Sequence, residues 1–472
     1  MIDRRERIMA VGAGGIGTGT QPAVGHPSSE ISTAYRGYVV AVLLVIYIFS
    51  SVDRQIIGIL AEAIKKELGL ADWQIGIMKG LAFSLFYSVL SIPIARLADR
   101  YNRAWILSIC LVLWSLFTAL CALSQNFIQL VLLRVGVAIG EAGCSPAALS
   151  LISDYVSKEK RPLALSIYAT GLPLGWLIGL AMGGIVAQYW GWRAALLAAG
   201  VPGVILGLIT LLTLREVGAR VGRVPLAAEG VTFRETLRQL KSRPSFWLAT
   251  FAAGGNTFIL AGFQTFAGPF FLRNHSDGIT AIAARLEPII GIRFEPIGLL
   301  GIGLGLATGI AGAAGMLLGG ALSAYAGRKD EREVLTVSAF AVLLSVPFWL
   351  AALLTGSPVL ALVLWATASA LLVLPVGTIY SVVQSVAPSH SRAMAAAISL
   401  LIMNLVGGGL GPLFAGVASD LLNQAGLGPA LGLRYALIGT SLLVLVTAWL
   451  FWSTRRYLVA DSAGDRAEAP AG

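Results

Sequence analysis

The chain has 472 residues, 57% of them hydrophobic and 12% charged, with a mean hydropathy of +0.80. A soluble domain carries about twice that charged fraction, so a water-soluble enzyme or binding module is excluded and a polytopic membrane protein is indicated. The net charge of +10 would suit nucleic acid, but membrane topology accounts for it without such a partner.

In chain order, residues 1–35 read as a disordered tail. No uninterrupted apolar stretch follows its arginines, so no signal peptide is expected. Gly12-Ala13-Gly14-Gly15-Ile16-Gly17 satisfies G-x-G-x-x-G, but that fingerprint needs a strand before it and a helix after it. T-G-T-Q-P-A-V-G follows instead, so no nucleotide cofactor is expected. Twelve apolar runs come next, at 37–61, 74–96, 104–124, 127–149, 163–188, 193–214, 246–271, 299–325, 334–354, 358–386, 393–419 and 433–454. Each is near the ~20 residues that carry a helix across ~30 Å of hydrocarbon. In lipid such runs satisfy their backbone groups only as helices.

The fold class expected is therefore an all-α membrane protein, twelve transmembrane helices in two six-helix halves. The halves occupy 36–214 and 246–456, a basic loop at 215–245 parts them, and a tail at 457–472 follows. Within the loop, Thr232 to Lys241 reads either as an amphipathic surface helix or as a solvated linker. An insertion at 273–296 alternates Ile and Leu with Arg and Glu, as a segment lying along the outer interface would. Most of the 34 Lys and Arg fall on the side of the termini. That bias makes both termini cytoplasmic, in a plasma membrane such as the bacterial inner membrane. Cys110, Cys121 and Cys144 all fall in spans, with no metal spacing and no disulfide framework, so they read as small buried hydrophobes.

Charge inside the spans carries the functional signal. Asp53 and Arg54 lie in the first span, Arg134 and Glu141 in the fourth. A charge in hydrocarbon costs at least ~2.5 kcal/mol, so such residues normally face a polar path. Arg134 and Glu141 share a helix face, ~10.5 Å apart in rise. Asp53 lies ~12 Å inside the outer end of its run, at a depth from which it can meet Arg134. An anionic group that claims Arg134 would leave Glu141 without its partner and ready to take a proton. The alternative is an ion-pair network that only locks the two spans together. Arg54 points ~100° away from Asp53, either toward a headgroup or outward. Lys79, near the outer end of the second span, reads as snorkelling to the interface.

The second half offers only uncharged polar candidates: Asn256, Gln264, Tyr380, Gln384 and Asn404. Each reads as an interhelical hydrogen bond or as a cavity contact. Charge on one wall and apolar side chains on the other suit an amphiphile. A lipid-modifying enzyme would need a nucleophile-base pair or a metal set within the bilayer. His26, His275 and His390 all lie outside the spans, and no such set exists.

The stretch Ala95-Arg96-Leu97-Ala98-Asp99-Arg100-Tyr101-Asn102-Arg103 resembles the loop signature G-x-L-a-D-R-x-G-R-[KR] of the major facilitator superfamily. It departs from it at Ala95 and Asn102. A second copy at 320–329 keeps the frame but lacks the Asp-Arg pair. The D-R-Y-N-R form, V-D-R-Q at 52–55, Leu132 to Ala148 (L-L-R-V-G-V-A-I-G-E-A-G-C-S-P-A-A) and G-W-R-A-A at 191–195 are similar to the Spinster branch. That branch carries Asn-Tyr where Ser50 and Ser51 stand here. The resemblance implies a secondary transporter that alternates access and moves amphipathic lipids, such as lysophospholipids or sphingoid phosphates, coupled to protons. Within the same fold, a drug or small organic anion is the alternative cargo. Asp53, Arg54, Arg134 and Glu141 would serve substrate and proton. Asp99, Arg100 and Arg103 would latch the halves in the outward-open state, the alternative being a simple positive-inside anchor. No cofactor or metal is expected, and the unit would be a monomer.

Overall fold

Among the described residues ten helices are long and apolar enough to cross a membrane, and two of these are each a pair of spans joined end to end. The joints are glycines with positive φ, Gly191 at 79° in one and Gly426 and Gly428 at 96° and 77° in the other. A side chain is strained in that region of backbone space, and glycine is not. Among the described residues this gives twelve spans: α1 Thr33–Leu68, α2 Asp72–Ala98, α3 Arg103–Cys121, α4 Phe127–Tyr155, α5 161–190, α6 192–213, α7 Pro244–Asn274, α8 Pro296–Gly327, α9 Glu331–Leu354, α10 Pro358–Val386, α11 394–425 and α12 429–459. The structure is a computed structural model that describes residues 32–216, 233–387 and 391–468. Gly12 to Gly17, His26, residues 217–232 of the central loop and His390 lie outside the described residues, as do the side chains of Asp99 and Arg100. The face carrying Thr33 and Tyr155 is called the terminal face below, and that carrying Leu68 and Asp72 the distal face.

Several helices differ from the apolar runs, each for a local reason. α1 continues through the charged turn to Leu68 because Glu62 and Lys65 are paired there, with Arg273 and Asp72. α4 stops at Glu141 and restarts at Cys144. At the break, a Cβ on Gly143 would stand 2.6 Å from Ile94 and 2.7 Å from the Cys110 sulfur. α2 and α11 each contain a wide π turn, Ile77–Leu81 and Met403–Leu410. These turns meet, with Gly80 set so close that a Cβ would lie 2.7 Å from the Gly409 carbonyl oxygen. Asn102, which replaces a glycine of the loop signature, caps α3 by accepting the Trp105 N–H at 2.9 Å. Outside the spans, the helix Phe233–Lys241 buries Leu240, and the Trp247 indole donates to the Leu240 carbonyl at 3.0 Å. It is docked on α7 rather than free. The insertion holds the helix Ser276–Ile290, which buries Ile279 and Ala283 and leaves Ile289 78% exposed.

The halves differ in what fills them. α7, α9 and α10 bury an aromatic cluster, with the Phe263 ring 3.7 Å from Trp349 and 5.2 Å from Trp365. The buried acids of the spans stay in the first half, at Asp53, Glu62, Asp72 and Glu141. The halves meet along a seam of small residues between α5 and α8. There a Cβ on Gly301 would stand 2.5 Å from the Leu180 carbonyl oxygen and 2.9 Å from the Gly184 Cα. Both neighbours are backbone, so neither yields by changing rotamer. Gly301→Ala should therefore destabilise the protein by about 1–3 kcal/mol through overpacking. Thermal unfolding in detergent should show a lowered midpoint, and an unchanged midpoint would mean that the seam is looser than described.

Candidate functional site

The charged side chains of α1 and α4 converge in mid-bundle. Arg54 lies ~21 Å along α1 from Leu68 and Glu141 ~21 Å along α4 from Phe127. At this common depth Arg54 Nε donates to Glu141 Oε1 at 2.7 Å. Ser50 Oγ also donates to Glu141 Oε1, while Oε2 has no partner. The guanidinium of Arg54 rests 4.8 Å from the Tyr87 ring centroid and 5.3 Å from that of Phe83. Glu141's side chain is fully buried, yet Arg54's is 39% exposed, so open space reaches this pair. The expected partnership of Glu141 with Arg134 is not found; Arg54, a turn beyond Ser50, reaches the acid instead. α1 also extends further than its apolar run, which puts Asp53 ~22 Å from the helix end rather than ~12 Å.

Arg134 is 1% exposed and holds no ion pair among the described residues. Its Nε and Nη1 lack hydrogen-bond partners, and its guanidinium lies 5.4 Å from the Phe83 ring centroid. Asp53, also 1% exposed, is within electrostatic reach of Arg134 and Glu141 and sits beside Thr118 and Trp114. Asp53 Oδ1, Thr118 Oγ1 and Trp114 Nε1 make no close hydrogen bond, although Thr118 and Trp114 stand near enough to interact with the Asp53 carboxylate. A buried polar group left without a partner costs about 1–3 kcal/mol. The concentration of such groups here marks a place that a ligand, a proton or water completes.

At the distal face the charged groups around Arg273 are matched, while His275 Nε2 and Arg434 Nε have no hydrogen-bond partner. Arg273 of α7 donates from Nε to Glu62 and, bidentately, to both carboxylate oxygens of Asp72, each at 2.8 Å. Lys65 and Ser419 also reach Asp72, at 2.5 and 2.7 Å. Asp420 of α11 caps α2 across the interface, accepting the N–H groups of Asp72 and Trp73 at 3.1 and 2.8 Å. Burial and the nearby Arg434 push the His275 imidazole below its ordinary 6.5, so at neutral pH it adds no further cation here. Deeper in, Gln55 donates to Gln264 at 3.3 Å and the Lys79 ammonium donates to the Gln264 carbonyl at 3.0 Å. Lys79 thus points into the interface between halves and does not snorkel. Beside these residues a void of about 10 Å³ is at the lower limit for one water. These contacts tie the halves together on the distal side, and Arg54, which lies beyond them, keeps a 39% exposed side chain.

The other candidates divide. Asn256 donates to the Leu372 carbonyl at 2.8 Å, an interhelical hydrogen bond between α7 and α10. Gln264 lines the interface void with Gln55. Tyr380 is 42% exposed and near Tyr47 and Tyr87, the latter stacked over Arg54. Gln384 is exposed and Asn404 half-buried, and neither bonds to the charged cluster. Arg103 pairs with Asp154 and Glu216, both at 2.5 Å, and donates to Ser150. All three partners belong to the first half or its exit, so Arg103 does not bridge the halves here. Sequence reading missed Ser50, Phe83, Tyr87 and the distal set Glu62, Asp72, Arg273 and Asp420. A pair of acids at the ends of apolar runs was the available signal for the distal set.

The sequence profile of the Major Facilitator Superfamily matches residues 43–412. An MFS-type efflux pump of Mycolicibacterium smegmatis is 32% identical over 430 residues, covering 89% of this chain and 92% of the relative. Protein spinster of Drosophila melanogaster is 27% identical over 350 residues, 72% of this chain and 53% of that one. Among solved structures, a bacterial homolog of the human lysosomal transporter Spinster, crystallised inward-facing and unoccupied, superposes with a TM-score of 0.79. It is 30% identical and covers 91% of this chain and 99% of its own.

Removing Arg273 leaves buried Asp72 with Lys65 and Ser419 only, and buried Glu62 with Lys66 at 3.8 Å. Breaking such a network from one side costs about 3–5 kcal/mol, and the penalty falls on the state in which the distal face is closed. In Arg273→Ala, spin labels at Gln125 and Gln424 should show a population with a longer distance across the distal face. An unchanged distance distribution would mean that packing alone holds this face shut.

Proposed function

As a member of the Major Facilitator Superfamily, in its Spinster branch, the chain is a multi-pass membrane transporter and not an enzyme, and we propose that it carries an amphiphile with an anionic headgroup by alternating access coupled to protons. The observation that carries this reading is Arg134, a buried guanidinium with two unpartnered nitrogens and no ion pair. A cation so placed is stabilised by an arriving anion. The positive-inside bias supports a cytoplasmic terminal face, and with that orientation the distally closed state reads as inward-facing. Single-chain lipids such as lysophospholipids or sphingoid phosphates fit a site with charge on the first half and aromatic and aliphatic side chains on the second.

The coupling follows from the pairing. A headgroup that binds Arg134 also competes for Arg54, which loosens the Arg54–Glu141 bond. A buried carboxylate stripped of its counter-ion is costly and is relieved by a proton. Ser50 serves either form of Glu141, since a hydroxyl both donates and accepts. Asp53 provides a second proton position beside Arg134. Proton entry thus follows anion binding, and a neutralised cluster lets the halves rock. The similarity to an efflux pump favours one second reading: a drug or small organic anion as cargo at the same site.

The test is uptake of a labelled lysophospholipid into proteoliposomes, with and without a pH gradient. Glu141→Gln should abolish the gradient dependence. Arg134→Gln should weaken apparent affinity roughly tenfold or more, the worth of a hydrogen bond to a charged group. Transport insensitive to both changes would reduce the cluster to scaffolding, and transport of small organic anions alone would select the second reading.

A further inference from the structure

Lys79 is a cation that the charge scheme above leaves unused. It lies on the π turn Ile77–Leu81 of α2, a widened turn of the kind often found at functional sites. It forms no ion pair among the described residues, and the charged group near enough to act on it is Arg134, also a cation. Its one acceptor is a backbone carbonyl of the other half, that of Gln264. The slot is built by glycine. A Cβ on Gly58 would stand 2.7 Å from the Lys79 ammonium and 3.0 Å from the Gln264 carbonyl oxygen. One turn further along α7, a Cβ on Gly268 would stand 2.6 Å from the Gly58 carbonyl oxygen. Lys79 therefore reaches across the interface through the gap that the crossing of α1 and α7 leaves open.

The carbonyl acceptor belongs to α7, the helix that also carries Arg273. When the distal face opens, α7 moves away from α1 and α2 and the ammonium loses that acceptor. Arg54, Arg134 and Lys79 outnumber Asp53 and Glu141 in this part of the bundle, so no acid stands free to replace it. An unpartnered ammonium in low dielectric is expensive and is relieved either by losing its proton or by an anion, and the anionic group of the cargo is the anion that arrives in that state.

We propose that Lys79 is a two-state cation: it clasps the Gln264 carbonyl while the distal face is closed, and contacts the anionic headgroup when that face opens. The contact half rests on the reading of the central cluster as the substrate site, whereas the clasp half does not. Two variants separate the roles. Lys79→Gln keeps a donor for the carbonyl and loses the charge; Lys79→Met loses both.

Transport of lysophosphatidylglycerol is compared with that of monoacylglycerol, which lacks the phosphate, and labels at Gln125 and Gln424 report the distal distance. Lys79→Gln should raise the KM for the phosphate-bearing probe about tenfold, as expected for a lost charged contact, with monoacylglycerol handling and distal distance unchanged. Lys79→Met should show the same KM change and a larger distal-open population. Unchanged KM in both variants overturns the contact, and an unchanged distance in Lys79→Met overturns the clasp. If the wild-type protein carries neither probe, the lipid reading of the site has failed and the contact half falls with it. The distance measurement still decides the clasp.

Discussion

The constraint on which the structure depends is that charge inside hydrocarbon must be matched. Two of the clusters of charged side chains in this bundle meet the constraint differently. At the distal face Arg273, Glu62, Asp72, Lys65, Ser419 and Asp420 satisfy one another across both halves. In mid-bundle two nitrogens of Arg134 and one oxygen each of Asp53 and Glu141 make no close hydrogen bond. The first cluster is finished, so it holds a state. The second is unfinished, so it awaits something that completes it.

That contrast gives the bundle its direction. Polar pairs between the halves lie at and beyond the level of Gln55 toward the distal face, while α5 and α8 slide close on glycine. Glycine seams lend close approach without side-chain interlock, and the ionic distal cluster decides how the halves sit. The aromatic packing of Phe263, Trp349 and Trp365 makes the second half an apolar counterpart.

Much of this was legible in the sequence, and the reasons for the rest are physical. Apolar runs of spanning length gave the helices, because lipid leaves the backbone no alternative. The rarity of intramembrane charge singled out Asp53, Arg54, Arg134 and Glu141. Which of them pair was not legible, since it depends on how α1 and α4 tilt and on where α1 ends. Arg54 seemed misdirected on a helical wheel, yet a long side chain and a helix that runs on to Leu68 bring it to Glu141. Lys79 looked like an interfacial lysine because its distance from the run's end resembles a snorkelling position; its true acceptor is a carbonyl that lies 185 residues away in the chain. Asp72 and Arg273 looked like loop charges for the same reason. Periodicity reports which face a residue takes, not which distant helix that face meets.

The central claim is that binding of an anion and uptake of a proton are one event, joined through the Arg54–Glu141 bond. Its most direct test is calorimetric titration of the purified protein with lysophosphatidylglycerol in buffers of different ionisation enthalpy, which counts protons exchanged on binding. Reciprocal linkage between the two ligands predicts uptake of about one proton per lipid bound, lost in Glu141→Gln. Binding of the same lipid with no proton exchanged would contradict the account.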